Sequence, residues 1–372
     1  MTIFQNFTLA FLTTMVMAGQ LSATSLDVEV DGTDTGTISA GITTETLFKK
    51  GSGLLDLTGP DYNIDYITVQ DGHVYVHGAP GLYLRQPVTL GLGRYITHYT
   101  QINLEVDTGD SSRVTAPIIA AEVTKKGGGT LDFDCVGSII DYLRIQGGRV
   151  IVDASDIIPA IGLYFDGANC ILEATTDINL PEVTLSFDGA INSTKAVTMD
   201  SLILGGKVLT TDIVGDTIVN NLDTSASGGT IANADTLTLN GATGSNLLIK
   251  SGSGYILVVV DLHSASLPID VVEGTMRVSG VGKLPTAAMT IGATGSVGAI
   301  FELCSNTVAG AVPGLMEVQQ YGVLSVDDNI SVPAAHTAGD VFTGGLLFDS
   351  GSVLKLGAGS SWARDIVVGT AL

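Results

Sequence analysis

Apolar and polar residues alternate with a period of two along short stretches of this chain, and glycine-bearing turns separate those stretches. In Leu143-Arg144-Ile145-Gln146-Gly147-Gly148-Arg149-Val150-Ile151-Val152, two short strands flank a Gly-Gly turn. A period of two puts alternate side chains on opposite faces of a strand. Leu143 and Ile145 are therefore expected to face a core and Arg144 to face water, since charge is rarely buried unpaired. Glycine supplies the positive φ that such turns need.

The pattern recurs. Residues 67–76 read Ile-Thr-Val-Gln-Asp-Gly-His-Val-Tyr-Val, and residues 269–278 read Ile-Asp-Val-Val-Glu-Gly-Thr-Met-Arg-Val. Val69 and Val271 should take inward positions equivalent to that of Ile145. Looser matches occur at 202–209, 318–326 and 348–356. A second element precedes the three clear copies. It reads Lys49-Lys50-Gly51-Ser52-Gly53-Leu54-Leu55-Asp56-Leu57, then Lys125-Lys126-Gly127-Gly128-Gly129-Thr130-Leu131-Asp132-Phe133, then Lys250-Ser251-Gly252-Ser253-Gly254-Tyr255-Ile256-Leu257-Val258. The copies thus span 49–76, 125–152 and 250–278, and chance does not hold such spacing.

One unit of about 25 residues cannot bury its own apolar face, whereas stacked units can. Stacking predicts an all-β fold, a right-handed parallel β-helix (a β-solenoid), running as one elongated body over 26–372. A pair of β-sandwiches or a jelly roll is the alternative. Residues 81–120 and 155–195 carry no clear repeat and are expected to be irregular coils or excursions.

Composition agrees with many short strands joined by tight turns. The chain holds 47 Gly and 29 Asp against 9 Glu; Asp prefers turns, whereas Glu favours helices. A mean hydropathy of +0.41 with 15% charged residues excludes intrinsic disorder. The net charge of -22 and the absence of any Lys/Arg cluster exclude nucleic acid as a partner. An anionic membrane surface is an equally poor partner.

The first 25 residues differ from the rest. Phe7 to Ala18 is mostly apolar, too short to span a bilayer but of signal-peptide length. Ala23-Thr24-Ser25 offers small residues for cleavage, although the leader has no Lys or Arg. Residues 1–25 are therefore either a signal peptide or an N-terminal helix that caps the solenoid. The mature chain is expected to have no integral membrane span.

The element Lys-x-Gly-x-Gly-Thr-Leu-x-Phe/Leu, followed about 20 residues later by strand, glycine and strand, resembles the autotransporter-associated β-strand repeat. Gly59-Pro60-Asp61-Tyr62 also resembles that family's mid-repeat turn. The likeness covers the three copies, under a quarter of the chain, and none carries the whole consensus. It implies a β-helical passenger, exported to the bacterial cell surface or outer membrane and often adhesive. No translocator barrel is evident after residue 280. The chain is then a passenger-like protein exported alone, a piece of a longer one, or a convergent solenoid.

Candidate chemistry is sparse. His73 and His77 share a strand face but lie about 13 Å apart, too far for one ion. Asp27, Glu29 and Asp31-Gly32 imitate the start of a calcium loop, but Ile38 stands where the twelfth-position Glu belongs. Metal binding is left unknown. Gly91-Leu92-Gly93 opens a dinucleotide fingerprint that Ile96 breaks. The Lys-x-Gly-x-Gly turns read as structural, and no cofactor is implied. Cys135, Cys170 and Cys304 are too few for a disulfide framework or a zinc site and are expected to be inert, with a Cys135–Cys170 bridge as the residual option.

Polysaccharide-active β-helix enzymes are the serious rival. Asp327-Asp328 is the only adjacent Asp pair, and Arg144-Ile145-Gln146 lacks the lysine of the pectinase-type Arg-Ile-Lys. No catalytic residue is assigned. The expectation is a non-catalytic surface solenoid, an adhesin or scaffold that engages a surface glycan or protein. A self-assembling subunit of a layer, fibre or phage appendage is the alternative.

Overall fold

A computed structural model describes residues 7–11, 20–58, 62–69, 73–78, 82–84, 88–90, 101–106, 108–109, 111–114, 118–134, 138–153, 159–259, 266–279, 287–292, 298–304, 316–328, 331–332, 346–362 and 366–368. Among them the chain is all-β, with no helix, and its strands stack in parallel as a β-solenoid. It divides into two compact units, residues 1–181 and 182–372.

In unit 1, Ile118–Lys126 and Thr130–Phe133 form one coil. Ile139–Ile145 and Arg149–Val152 stack on it in parallel, pairing Val123 with Leu143 and Leu131 with Val150. Gly162–Phe165 and Cys170–Ala174 follow, pairing Leu143 with Leu163 and Val150 with Leu172. Alternation drives the arrangement. Leu143, Ile145, Leu163, Phe165, Leu131 and Val150 are each 0% exposed, whereas their strand neighbours point outward. Each such aliphatic burial contributes ~1.5–3 kcal/mol.

Unit 2 shows the coil in three short strands. Thr217–Val219, Leu222–Thr224 and Gly229–Asn233 are succeeded in register by Thr236–Leu239, Ala242–Gly244 and Leu248–Ser251. Polar ladders cross the coils as well. Asn220 Nδ2 donates to Asp200 Oδ1 at 2.9 Å, and Asn240 Nδ2 donates to Asn220 Oδ1 at 3.0 Å. The parallel pairings throughout exclude the sandwich and jelly-roll alternatives, which are built from antiparallel strands.

Three expectations need correction. Between residues 118 and 278 the coil is nearer 20 residues than 25: Val123 pairs Leu143, Thr217 pairs Leu237 and Ile256 pairs Met276. Coils further on are longer, Val278 pairing Leu303 and Val326 pairing Leu356. The clear sequence repeats therefore span two consecutive coils, not one. Residues 159–195 are regular strand ladder, not excursions, because the inward alternation persists there without the lysine–glycine signature. Within the apolar leader, Phe7–Phe11 is a strand paired in parallel with residues 26–30, where the capping alternative required a helix.

Candidate functional site

The most specific sequence signal, Lys-x-Gly-x-Gly, builds the corners of the coil. Lys49, Lys125 and Lys250 are each 0% exposed. Strand parity puts them there: Val123 faces in, and Lys125, two residues on, faces in as well. Lys49 pairs Val69, Lys125 pairs Ile145 and Lys250 pairs Val271, so each lysine takes a place in an apolar ladder.

A buried ammonium must be fully hydrogen-bonded to persist. Lys125 Nζ donates to the carbonyl oxygens of Gly127 at 2.6 Å and Gly147 at 2.9 Å. Lys250 Nζ donates to Ser251 O at 2.7 Å, Gly252 O at 2.6 Å and Glu273 O at 3.0 Å. Lys49 Nζ donates to Lys50 O and Gly51 O. Each lysine thus caps its own turn, and Lys125 and Lys250 also hold the corner of the next coil. Burial pushes the Lys250 ammonium down to about 8, against the opposing pull of the Glu273 carboxylate.

The glycines make this approach possible. Gly51, Gly127 and Gly252 have φ of 74°, 73° and 77°, and a Cβ on any of them would meet a carbonyl oxygen of the preceding coil at 2.6 Å or less. Asn233 repeats the device without charge, donating from Nδ2 to Asp235 O and Tyr255 O at 2.6 and 2.7 Å.

The motif is not tied to one corner. In unit 1 the Lys49 column runs through Val69 to Leu90, and the preceding Val88 and Thr89 pair with Ile118 and Ile119 at the start of Ile118–Lys126, whereas Lys125 lies near its end. Lys49 and Lys125 therefore stand at different corners of the coil.

Outward positions carry the charged and aromatic groups. Arg144 forms an ion pair with Asp166, lies 3.4 Å from Glu122 and places its guanidinium 4.8 Å from the Tyr164 ring centre. Tyr142 packs against Tyr164 at 5.9 Å, tilted by 48°. Unit 2 has a similar cluster: Arg277 is 5.1 Å from the Tyr255 ring centre and 2.6 Å from Glu302. As expected, Arg144 faces out while Leu143, Ile145 and Val271 face in; the Val69 side chain lies outside the described residues.

His73 and His77 lie on the strand His73–Gly78, and their side chains lie outside the described residues. Asp27 sits on the strand Gln20–Val30 and pairs with Lys50 at 2.9 Å. Asp327 and Asp328 are exposed turn residues. Asp327 Oδ1 accepts from the Asp328 amide at 3.0 Å, and Asp328 Oδ1 accepts from the Ala358 amide at 2.6 Å.

Cys170 Sγ lies 3.0 Å from Ile145 O and 2.9 Å from Gly167 O, and burial raises its thiol. Burial likewise pushes Cys304 up to about 11. Both thiols are free. Cys135 and Gly91–Gly93 lie outside the described residues. Among the described residues no group of three or more His, Cys, Asp or Glu is placed to hold a metal, and no helix is long and apolar enough to cross a membrane.

Comparison of the chain with protein-family models, with curated proteins and with solved structures gives no match.

Proposed function

We propose that this chain is a non-catalytic β-solenoid displayed at a bacterial surface, an adhesin or passenger-like scaffold of the autotransporter-associated repeat type. The observation that carries the reading is the inward orientation of the motif lysines. The signature that recurs along the sequence serves to build corners, which leaves recognition to the outer faces of the ladder. Those faces bear partly or largely exposed tyrosines beside arginine and paired carboxylates, chemistry suited to stacking on and hydrogen bonding with a glycan or a polar protein surface. The leader residues 1–25, read as a signal peptide, supply the export route.

Expression in a bacterial host with the leader intact tests the proposal. Protease added to intact cells should remove the protein, and the mature terminus should lie shortly after Ser25. The purified chain should bind an immobilised panel of surface glycans and proteins, more weakly after Tyr142→Ala or Tyr164→Ala. Retention in the cytosol with Met1 intact, or binding indifferent to both tyrosines, contradicts the reading.

A further inference from the structure

Asn240-Gly241 is the only Asn-Gly pair among the 372 residues. It lies in unit 2, in the turn between Thr236–Leu239 and Ala242–Gly244. Asparagine before glycine readily loses its side-chain amide, because glycine has no Cβ to keep its nitrogen away. The Gly241 nitrogen attacks Asn240 Cγ and gives up its proton, and Nδ2 leaves as ammonia. Water then opens the resulting succinimide to aspartate or isoaspartate. Asn240 is half-buried and Asp200 and Asn220 beside it are exposed, so water reaches this corner.

Asp200, Asn220 and Asn240 occupy one corner of three successive coils. Met199 pairs Val219 and Val219 pairs Leu239, and each corner residue follows one of these. Asn220 Nδ2 donates to Asp200 Oδ1 at 2.9 Å, and Asn240 Nδ2 donates to Asn220 Oδ1 at 3.0 Å. Chemistry sets that direction. A carboxylate only accepts, so Asn220 turns its amide nitrogen to Asp200 and its oxygen to Asn240, which must answer with its own nitrogen. The backbone is held as well: Asn240 N donates to Val219 O at 2.8 Å, and Gly241 O accepts from Leu222 N at 2.9 Å. A Cβ on Gly241 would meet Asn220 O at 2.6 Å, so the turn sits tightly on the preceding coil.

We propose that Asn240 is a deamidation site kept in check by this ladder. While Nδ2 and both flanking backbone groups are bound to the preceding coil, Cγ and the Gly241 nitrogen are not free to close on each other. A local opening of the corner must come first. Once the reaction has run, the corner does not re-form. Aspartate at this position sets acceptor against acceptor at Asn220 Oδ1, and Asn220 cannot turn over without pointing its oxygen at Asp200. Isoaspartate also lengthens the backbone and shifts the register beyond it. The inference is independent of the surface role proposed above.

Mass spectrometry of the tryptic peptide between Lys207 and Lys250, fragmented to locate the change, follows Asn240 in the full chain at pH 8. Deamidation should be at least about tenfold faster in urea, where the ladder is gone, than in the folded chain. Asn220→Ala removes the acceptor and should speed the folded-state reaction about fivefold, the effect of one ordinary hydrogen bond on an opening equilibrium. Asn220→Asp keeps an acceptor for Asn240, and its rate should stay nearer that of the wild type than that of Asn220→Ala. Equal rates in folded and unfolded wild type, a folded Asn220→Ala no faster than wild type, or an Asn220→Asp as fast as Asn220→Ala would overturn the inference. Should Asn220→Ala not fold, a rate for Asn220→Asp near that of the unfolded chain overturns it equally.

Discussion

Lys125 Nζ and the carbonyl oxygen of Gly147 are 2.9 Å apart although 22 residues separate them in the chain, because they occupy successive coils. Lys250 and Glu273 repeat the relationship at 3.0 Å across 23 residues. A charged side chain inside an apolar ladder persists only because glycine corners turn several carbonyls toward it.

The face assignment predicts opposite outcomes for neighbouring residues. Ile145→Asp buries an unpaired carboxylate in the ladder and should cost more than ~4 kcal/mol or prevent folding. Arg144→Ser removes half-exposed ion pairs and a ring contact, and should cost about 1 kcal/mol. Urea unfolding of the two variants checks this, and equal midpoints would contradict it.

Lys250 gives stability a pH signature. Burial lowers its pKa from the unbound lysine value to about 8 in the fold. Between that value and the unfolded pKa of ~10.4, the unfolded chain binds more protons, so this residue makes stability rise with pH across the window. Below pH 8 both states are protonated and the slope vanishes. The difference in unfolding free energy between wild type and Lys250→Met should therefore shift toward the wild type from pH 7.5 to pH 10. A constant difference would contradict the assignment.

The adjacent acids Asp327 and Asp328 cap turns, with carboxylate oxygens taken up by the amides of Asp328 and Ala358. Together with the repulsion between a strongly acidic chain and acidic polymers, this predicts no cleavage of polygalacturonate. Viscometry of the polymer is the check. A metal- or pH-dependent fall in viscosity that Asp327→Asn or Asp328→Asn abolishes would contradict it, as turn caps have no such effect.

The ladder was legible because alternation is local: Leu143, Arg144 and Ile145 reveal their faces from three letters. Coil length was less legible. The strongest repeat joins two stacked corners, Lys125 to Gly129 and Gln146 to Gly148, so its span overstates one coil. Residues 159–195 carry no such signature because their corners use other caps. Ser193 Oγ accepts from the Lys195 amide, and the Cys170 thiol sits against two carbonyls.

The burial of the motif lysines was present in the sequence as parity. Leu47, Val123 and Leu248 each precede the lysine by two positions and share its face. Composition-based reasoning sends lysine to water, and only the carbonyl-lined corner, a product of stacking, reverses that preference.

Lys125 points inward and pins one coil to the next, while Lys126 points out. Lys125 and Lys126 are adjacent and chemically identical, and differ in face alone. Urea unfolding of Lys125→Met and Lys126→Met, measured side by side, is the most direct test. Lys125→Met strips buried carbonyls of their donor and should lose about 1–3 kcal/mol, whereas Lys126→Met should stay within ~0.5 kcal/mol of the wild type. Equal losses, or a larger loss at Lys126, would contradict the account.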